Sequence, residues 1–79
     1  MTKTARQIER MASLLRDVKR SGGADRWDHL RSHGHHFATV LSATDRGYLR
    51  ELIDGRYEVT VEVDAFFVWY DLWKKTTAV

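Results

Sequence analysis

The chain has 79 residues, nine of them aromatic, with no cysteine and no proline, and its 13 Lys+Arg against 11 Asp+Glu leave a formal charge of +2. That length fits one domain, residues 1–79, and not two. The missing cysteines exclude a disulfide scaffold and a cysteine-built zinc fold, and 43% apolar residues argue against wholesale disorder.

Residues 4 to 20 have the spacing of an amphipathic helix. Ile8, Met11, Ala12, Leu15 and Val18 share one face of a 3.6-residue repeat, with Arg6, Arg10, Asp17 and Arg20 mostly on the other. Thr4 suits the start and Ser21-Gly22-Gly23 the stop, because glycine enters the left-handed C′ conformation without a Cβ penalty. Asp25 then reads as the N-cap of a short helix from Arg26 to His33, with Trp27 and Leu30 inward and Gly34 ending it. Phe37, Val40 and Leu41 follow at i, i+3, i+4, in a window too brief to separate a helical turn from a strand.

Ser42-Ala43-Thr44-Asp45 fits a capping box with Asp in place of Glu. The apolar stripe Tyr48, Leu49, Leu52, Ile53 predicts a helix behind it, stopped by Asp54-Gly55 and carrying Gly47 inside it. From Arg56 to Asp64 two patterns compete. Tyr57, Val59, Val61 and Val63 alternate with polar residues, as in a strand. Alternatively Tyr57-Glu58-Val59 is a loop and Thr60 caps a helix running to about Lys75, with Glu62 in its first turn and Lys74 and Lys75 in its last. A lone strand is not stable and no second alternating segment stands out, so the expectation is an all-α, compact bundle of four to five short helices. The alternative is α+β with residues 56–63 as a strand.

Part of this pattern resembles small helical accessory proteins of phages and mobile elements, a group that includes anti-CRISPR inhibitors. The first half of the likeness is Leu41, Ser42, Asp45, Arg46, Tyr48, Leu49 and Leu52, and the second is Val59, Thr60, Phe66, Phe67, Tyr70 and Lys74. Val63 stands where that pattern usually has Gln, and Val59 where it has Leu. Over residues 41–75 the resemblance implies a helix–loop–helix. It implies no catalytic residues and suggests a protein that inhibits or modulates a host protein complex by binding it.

Three groups of residues are candidate sites. Five of the nine aromatics fall between Phe66 and Trp73. A helix there is apolar nearly all round, more than its neighbours can cover, unless it is simply the central core helix. Phe66, Trp69, Tyr70 and Trp73 are therefore candidates for binding a larger protein or a second copy of the chain. The basic first helix offers Arg6, Arg10, Arg16, Lys19 and Arg20 to nucleic-acid phosphates in an alternative reading, against the plainer one of a solvated charged face. The Gly-Gly turn before residues 26–33 has a loose likeness to a helix-turn-helix, but that helix is short for recognition.

His29 and His33, four apart on a helix, have a chelating spacing and make a metal-binding module the third reading, set against a solvated polar loop. Nothing calls for catalysis or a cofactor. There is no cysteine, the serines sit on helices or at caps, and Gly22-Gly23 lacks the Lys-Ser/Thr of a phosphate loop. No apolar run reaches the roughly 18 residues of a membrane span, and the charged start has no apolar stretch behind it. The expected object is a non-enzymatic cytoplasmic binding protein.

Overall fold

The computed structural model describes residues 3–77. The first helix, α1 (Lys3–Arg20), buries Met11, Ala12, Leu14, Leu15 and Val18 along one side. It ends where expected. Gly22 and Gly23 both have positive φ, and the Gly23 N–H donates to the Val18 carbonyl at 3.1 Å, which satisfies one of the last orphan acceptors of the helix.

Three residues, β1 (Ala24–Arg26), precede α2 (Trp27–Ser32). Asp25 is thus a strand residue and not the helix cap. Arg26 holds the N-cap position with no side-chain bond, and the Asp25 carboxylate accepts from the Arg26 N–H at 2.8 Å. Gly34, at φ +86°, terminates α2, and the His35 N–H closes back on the Leu30 carbonyl at 3.1 Å. Four residues after α2, α3 begins (Phe37–Asp45), so the short apolar window resolves as a helix. Val40 and Ala43 are its buried positions.

The segment after α3 departs most from expectation. Ser42 lies inside α3 and caps nothing. Gly47, at φ +82°, lies just past the helix end and not within a helix, and the Tyr48 N–H donates to the Ala43 carbonyl at 2.9 Å. The predicted helix over Tyr48–Ile53 is instead a strand, β2 (Leu49–Glu51), and the turn Leu52-Ile53-Asp54-Gly55 reverses the chain into β3 (Arg56–Val59). The Leu52 N–H donates to the Arg56 carbonyl at 2.8 Å, and Gly55 takes φ +86°. Gly55 supplies the left-handed residue of this turn, and its N–H donates to the Leu52 carbonyl at 3.0 Å.

The sheet runs β1-β3-β2, antiparallel throughout, with Tyr57 level with both Asp25 and Glu51. Among the described residues the fold is therefore α+β, not an all-α bundle, and residues 41–75 form no helix–loop–helix. The strand reading of residues 56–63 is correct only as far as Val59, and the helical reading takes over from there. Thr60 accepts the Glu62 N–H on its hydroxyl at 3.2 Å, and α4 runs Glu62–Thr77. Residues 57–59 are strand and not loop because β3 is central, with a neighbour on each edge.

The core gathers one face of every element except β1. Leu14, Leu15 and Val18 of α1 meet Leu30, Val40, Ala43, Leu49 and Tyr57, and Val63, Phe66 and Tyr70 of α4 close one side. No buried side-chain polar atom lacks a partner among the described residues. The α4 face is pinned to α1 by polar contacts at its rim: the Tyr70 hydroxyl donates to Glu9 at 2.8 Å, and Lys74 Nζ reaches the same carboxylate at 3.0 Å.

Candidate functional site

The turn between α2 and α3 has four residues, His33–His36, with Gly34 in the left-handed conformation. Two helices joined by so short a glycine-containing turn form a helix–turn–helix unit. Here α1 packs behind it and the β2–β3 hairpin lies beside it, an arrangement of the winged helix–turn–helix kind. The loose likeness in the sequence lay one element earlier, at residues 26–33, and was set aside because that helix is short for recognition. Residues 27–32 are the unit's first helix, and α3 is the second.

Side-chain chemistry fastens this unit to α1. Asp17 of α1 receives His33 Nδ1 at 2.8 Å and His35 Nε2 at 2.7 Å on one oxygen. Burial pushes the Asp17 carboxyl up, but the hydrogen bonds from His35 and His33 outweigh it and hold the pKa below the usual aspartate value. Asp25 behaves alike: burial raises it, and the bonds from His29, the Arg26 N–H and Ser21 lower it further. His29 and His33 lie with ring centroids 4.0 Å apart, but each is turned to a different carboxylate. Among the described residues no group of three His, Cys, Asp or Glu is arranged to hold a metal ion. The histidines are braces between α1, β1 and the turn.

The solvent face of α3 carries Phe37, Ala38, Leu41 and Asp45, with Leu41 52% exposed. Phe37 also packs edge-on against Trp27 of α2, centroids 4.9 Å apart. Cations flank this face. Arg31 projects from α2, and Arg46 follows the last turn of α3. Arg10 and His36 line, with Arg46, a cavity of about 620 Å³ between α1, α3 and α4 whose apolar wall includes Met11 and Trp69. Among the described residues Arg10, Arg31 and Arg46 hold no ion pair. By contrast, Arg50 pairs with Glu58 across the hairpin, and Arg56 Nε reaches Asp54 at 2.7 Å.

The basic residues of α1 do not form one surface. Arg16 sits over the Phe67 and Tyr70 rings, 5.7 and 5.8 Å from their centroids, and Lys19 over Phe67 at 5.7 Å. Arg20 joins them around Phe67 on the α4 side. Arg10 lies with α3 and His36, and Arg6, one turn before it, is exposed. The aromatic candidates divide in the same way. Phe66 and Tyr70 are buried in the core, and Trp73 is half-buried and stacked on Trp69 at 6.2 Å. Trp69 is 47% exposed, in a row with Val68 at 65% and Leu72 at 60%.

Sequence reasoning did not single out Arg31 or the α3 face, and Arg46 entered only through the resemblance. The available signal was Gly34 between two short apolar clusters, a turn length that joins two helices. No helix among the described residues is long and apolar enough to cross a membrane. No protein-family model, curated protein or solved structure matches the chain.

Proposed function

We propose that the chain is a non-enzymatic, double-stranded DNA-binding regulator that lays α3 in the major groove. One observation carries this reading: a helix–turn–helix unit whose second helix turns an unpartnered face to solvent, flanked by arginines that hold no ion pair. In such units the second helix touches base edges through its N-terminal residues while neighbouring groups hold phosphates. Phe37, Ala38 and Leu41, on the first turns of α3, suit thymine methyl groups. Arg10, Arg31, Arg46 and His36 are the phosphate contacts. Nucleic-acid binding thus moves from the basic face of α1 to α3 and its surroundings, and a cytoplasmic location goes with it.

The test is fluorescence anisotropy with labelled duplexes over a salt series. About three cationic contacts give a log–log salt slope near −3. The double variant Arg31→Ala, Arg46→Ala flattens that slope by about two and weakens binding to all sequences alike. Leu41→Ala changes sequence preference and leaves the slope. Salt-independent binding, or none to any duplex, defeats the proposal.

A second reading, an inhibitor or modulator docked on a larger host complex, is favoured by the exposed apolar residues of α4. It predicts that Trp69→Ala abolishes binding to a protein partner while Arg31→Ala and Arg46→Ala do not.

A further inference from the structure

The cavity of about 620 Å³ between α1, α3 and α4 is an open cleft to which each helix gives one stripe. The share of α1 is Thr4, Gln7, Ile8 and Met11, at i, i+3, i+4 and i+7. Farther along, the same side of α1 buries Leu15 and Val18 in the core, but over its first two turns it borders the cleft. Thr39, Ser42 and Arg46 come from the flank of α3 beside its solvent face, and Phe66 and Trp69 from α4. Small-molecule sites have volumes of roughly 300–1,000 Å³, so the cleft is large enough to be one.

Its lining has two chemistries. One part is aromatic and apolar: the ring centroids of Tyr48 and Phe66 are 5.1 Å apart and those of Phe66 and Trp69 6.0 Å apart, and Ile8 and Met11 join them. The other part is Arg10, His36 and Arg46 with the uncharged Gln7, Thr39 and Ser42. Among the described residues none of these polar side chains makes a hydrogen bond or ion pair within the chain. No aspartate or glutamate among them lines the cleft. Cations elsewhere are engaged, Lys74 with Glu9, Arg50 with Glu58 and Arg16 with the Phe67 ring.

We infer that the cleft binds a small organic anion with an aromatic body, its charged head held by Arg10 and Arg46 and its ring against Phe66 and Trp69. Charge complementarity selects the head, because two open guanidinium groups with no carboxylate beside them favour an anion. A guanidinium fork suits a carboxylate, which accepts two parallel N–H bonds. The rings select the body, since a bare inorganic anion has no use for an aromatic wall. Arg10, His36 and Arg46 are also the phosphate contacts proposed above, so ligand and duplex compete for them. That competition rests on the DNA reading, and the site itself does not.

The test is a titration of the free, isotope-labelled protein with naphthylacetate, followed by heteronuclear NMR. Saturable shifts are expected at the Trp69 indole N–H and at the amides of Ile8, Thr39 and Ser42, while the Trp27 indole stays in place. Naphthylacetamide keeps the ring and loses the charge, so it binds about tenfold more weakly. Arg10→Ala with Arg46→Ala removes that difference, and because both side chains are exposed the melting temperature holds. Ser42→Phe fills the cleft and abolishes the shifts; if it fails to fold, the arginine pair decides. Saturating naphthylacetate releases a labelled duplex from the protein. No saturable shift, shifts confined to other surfaces, or equal binding of acid and amide overturns the proposal. A duplex that stays bound at saturation overturns the shared use of the arginines. A chain that takes naphthylacetate but binds no duplex supports the site and defeats the DNA reading alone.

Discussion

The two long helices, α1 and α4, each cover the core with one face, but they treat the other face differently. α1 gives its outer side to Arg6, Arg10, Arg16, Lys19 and Arg20 and leaves no large apolar residue exposed. α4 buries Val63, Phe66 and Tyr70 and then repeats apolar residues on the side that faces water. Both helices bury one face, but their unequal exposure separates two uses of apolar side chains. Removing area from water at the core holds the fold together, at about 25 cal/mol per Å². Apolar area left outside does nothing for the monomer, and a contiguous patch of it is the kind of surface that partners cover.

Substitutions test this contrast. The largest effects belong to the inner faces. Leu15→Ala on α1 and Phe66→Ala on α4 should each cost about 3–5 kcal/mol, because both leave a cavity in close-packed surroundings. Urea unfolding measures both, and equal losses would show the two inner faces to be equivalent. A smaller effect belongs to the seam between them. Tyr70→Phe removes the bond to Glu9 and leaves that carboxylate on Lys74, so a loss of about 1 kcal/mol is expected in the same assay. The smallest effect belongs to the outer face of α4. Val68→Ala should alter the stability of the dilute monomer by less than about 0.5 kcal/mol. A loss at Val68 as large as that at Leu15 would break the contrast, by showing that something within the chain covers the outer face.

The pH dependence sharpens the same picture from the α1 side. Burial raises the carboxyls of Glu9 and Asp17, yet bonds from Lys74 and Tyr70 to the first, and from His35 and His33 to the second, leave both lowered. In each case the folded chain binds the proton less readily than the unfolded chain. The stability they contribute is therefore complete above the ordinary carboxylate pKa and is lost as pH falls through the lower folded value. Thermal melts from about pH 6 down to about pH 3 should show a falling melting temperature. Asp17→Asn should flatten that fall and lower the plateau above it.

Local signals were most reliable where a single element made its own case. α1 shows a full amphipathic period and a Gly-Gly stop, and both are realised within a residue or so. Thr60 at the head of α4 and the lysines at its end were legible because capping and dipole effects act within one turn. The hairpin was hidden for a physical reason. Leu49, Leu52 and Ile53 have spacings that a helix also allows, and β2 and β1 are three residues each, too short to show alternation. The Asp54-Gly55 turn and the strand-forming Tyr57 and Val59 were present, but a strand becomes stable only through its neighbours. The candidate aromatics were similarly half legible. Composition located the surplus on residues 66–73, whereas Phe66 and Tyr70 went to the core and Trp69 to the surface.

By itself the sequence determined the first helix, the start and end of the last, the glycine stops at Gly22-Gly23 and Gly34 and the excess of apolar residues near the chain's end, but it pointed to an all-α class where the fold is α+β. The features it determined depend on neighbours within a few positions. Tertiary structure alone decided that β3 takes a partner on each edge, that α2 and α3 form a helix–turn–helix, and that the histidines brace Asp17 and Asp25. It also decided which side of α4 meets water. Each of those outcomes depends on groups distant in sequence finding one another, and their energies exist only once the chain has closed upon itself.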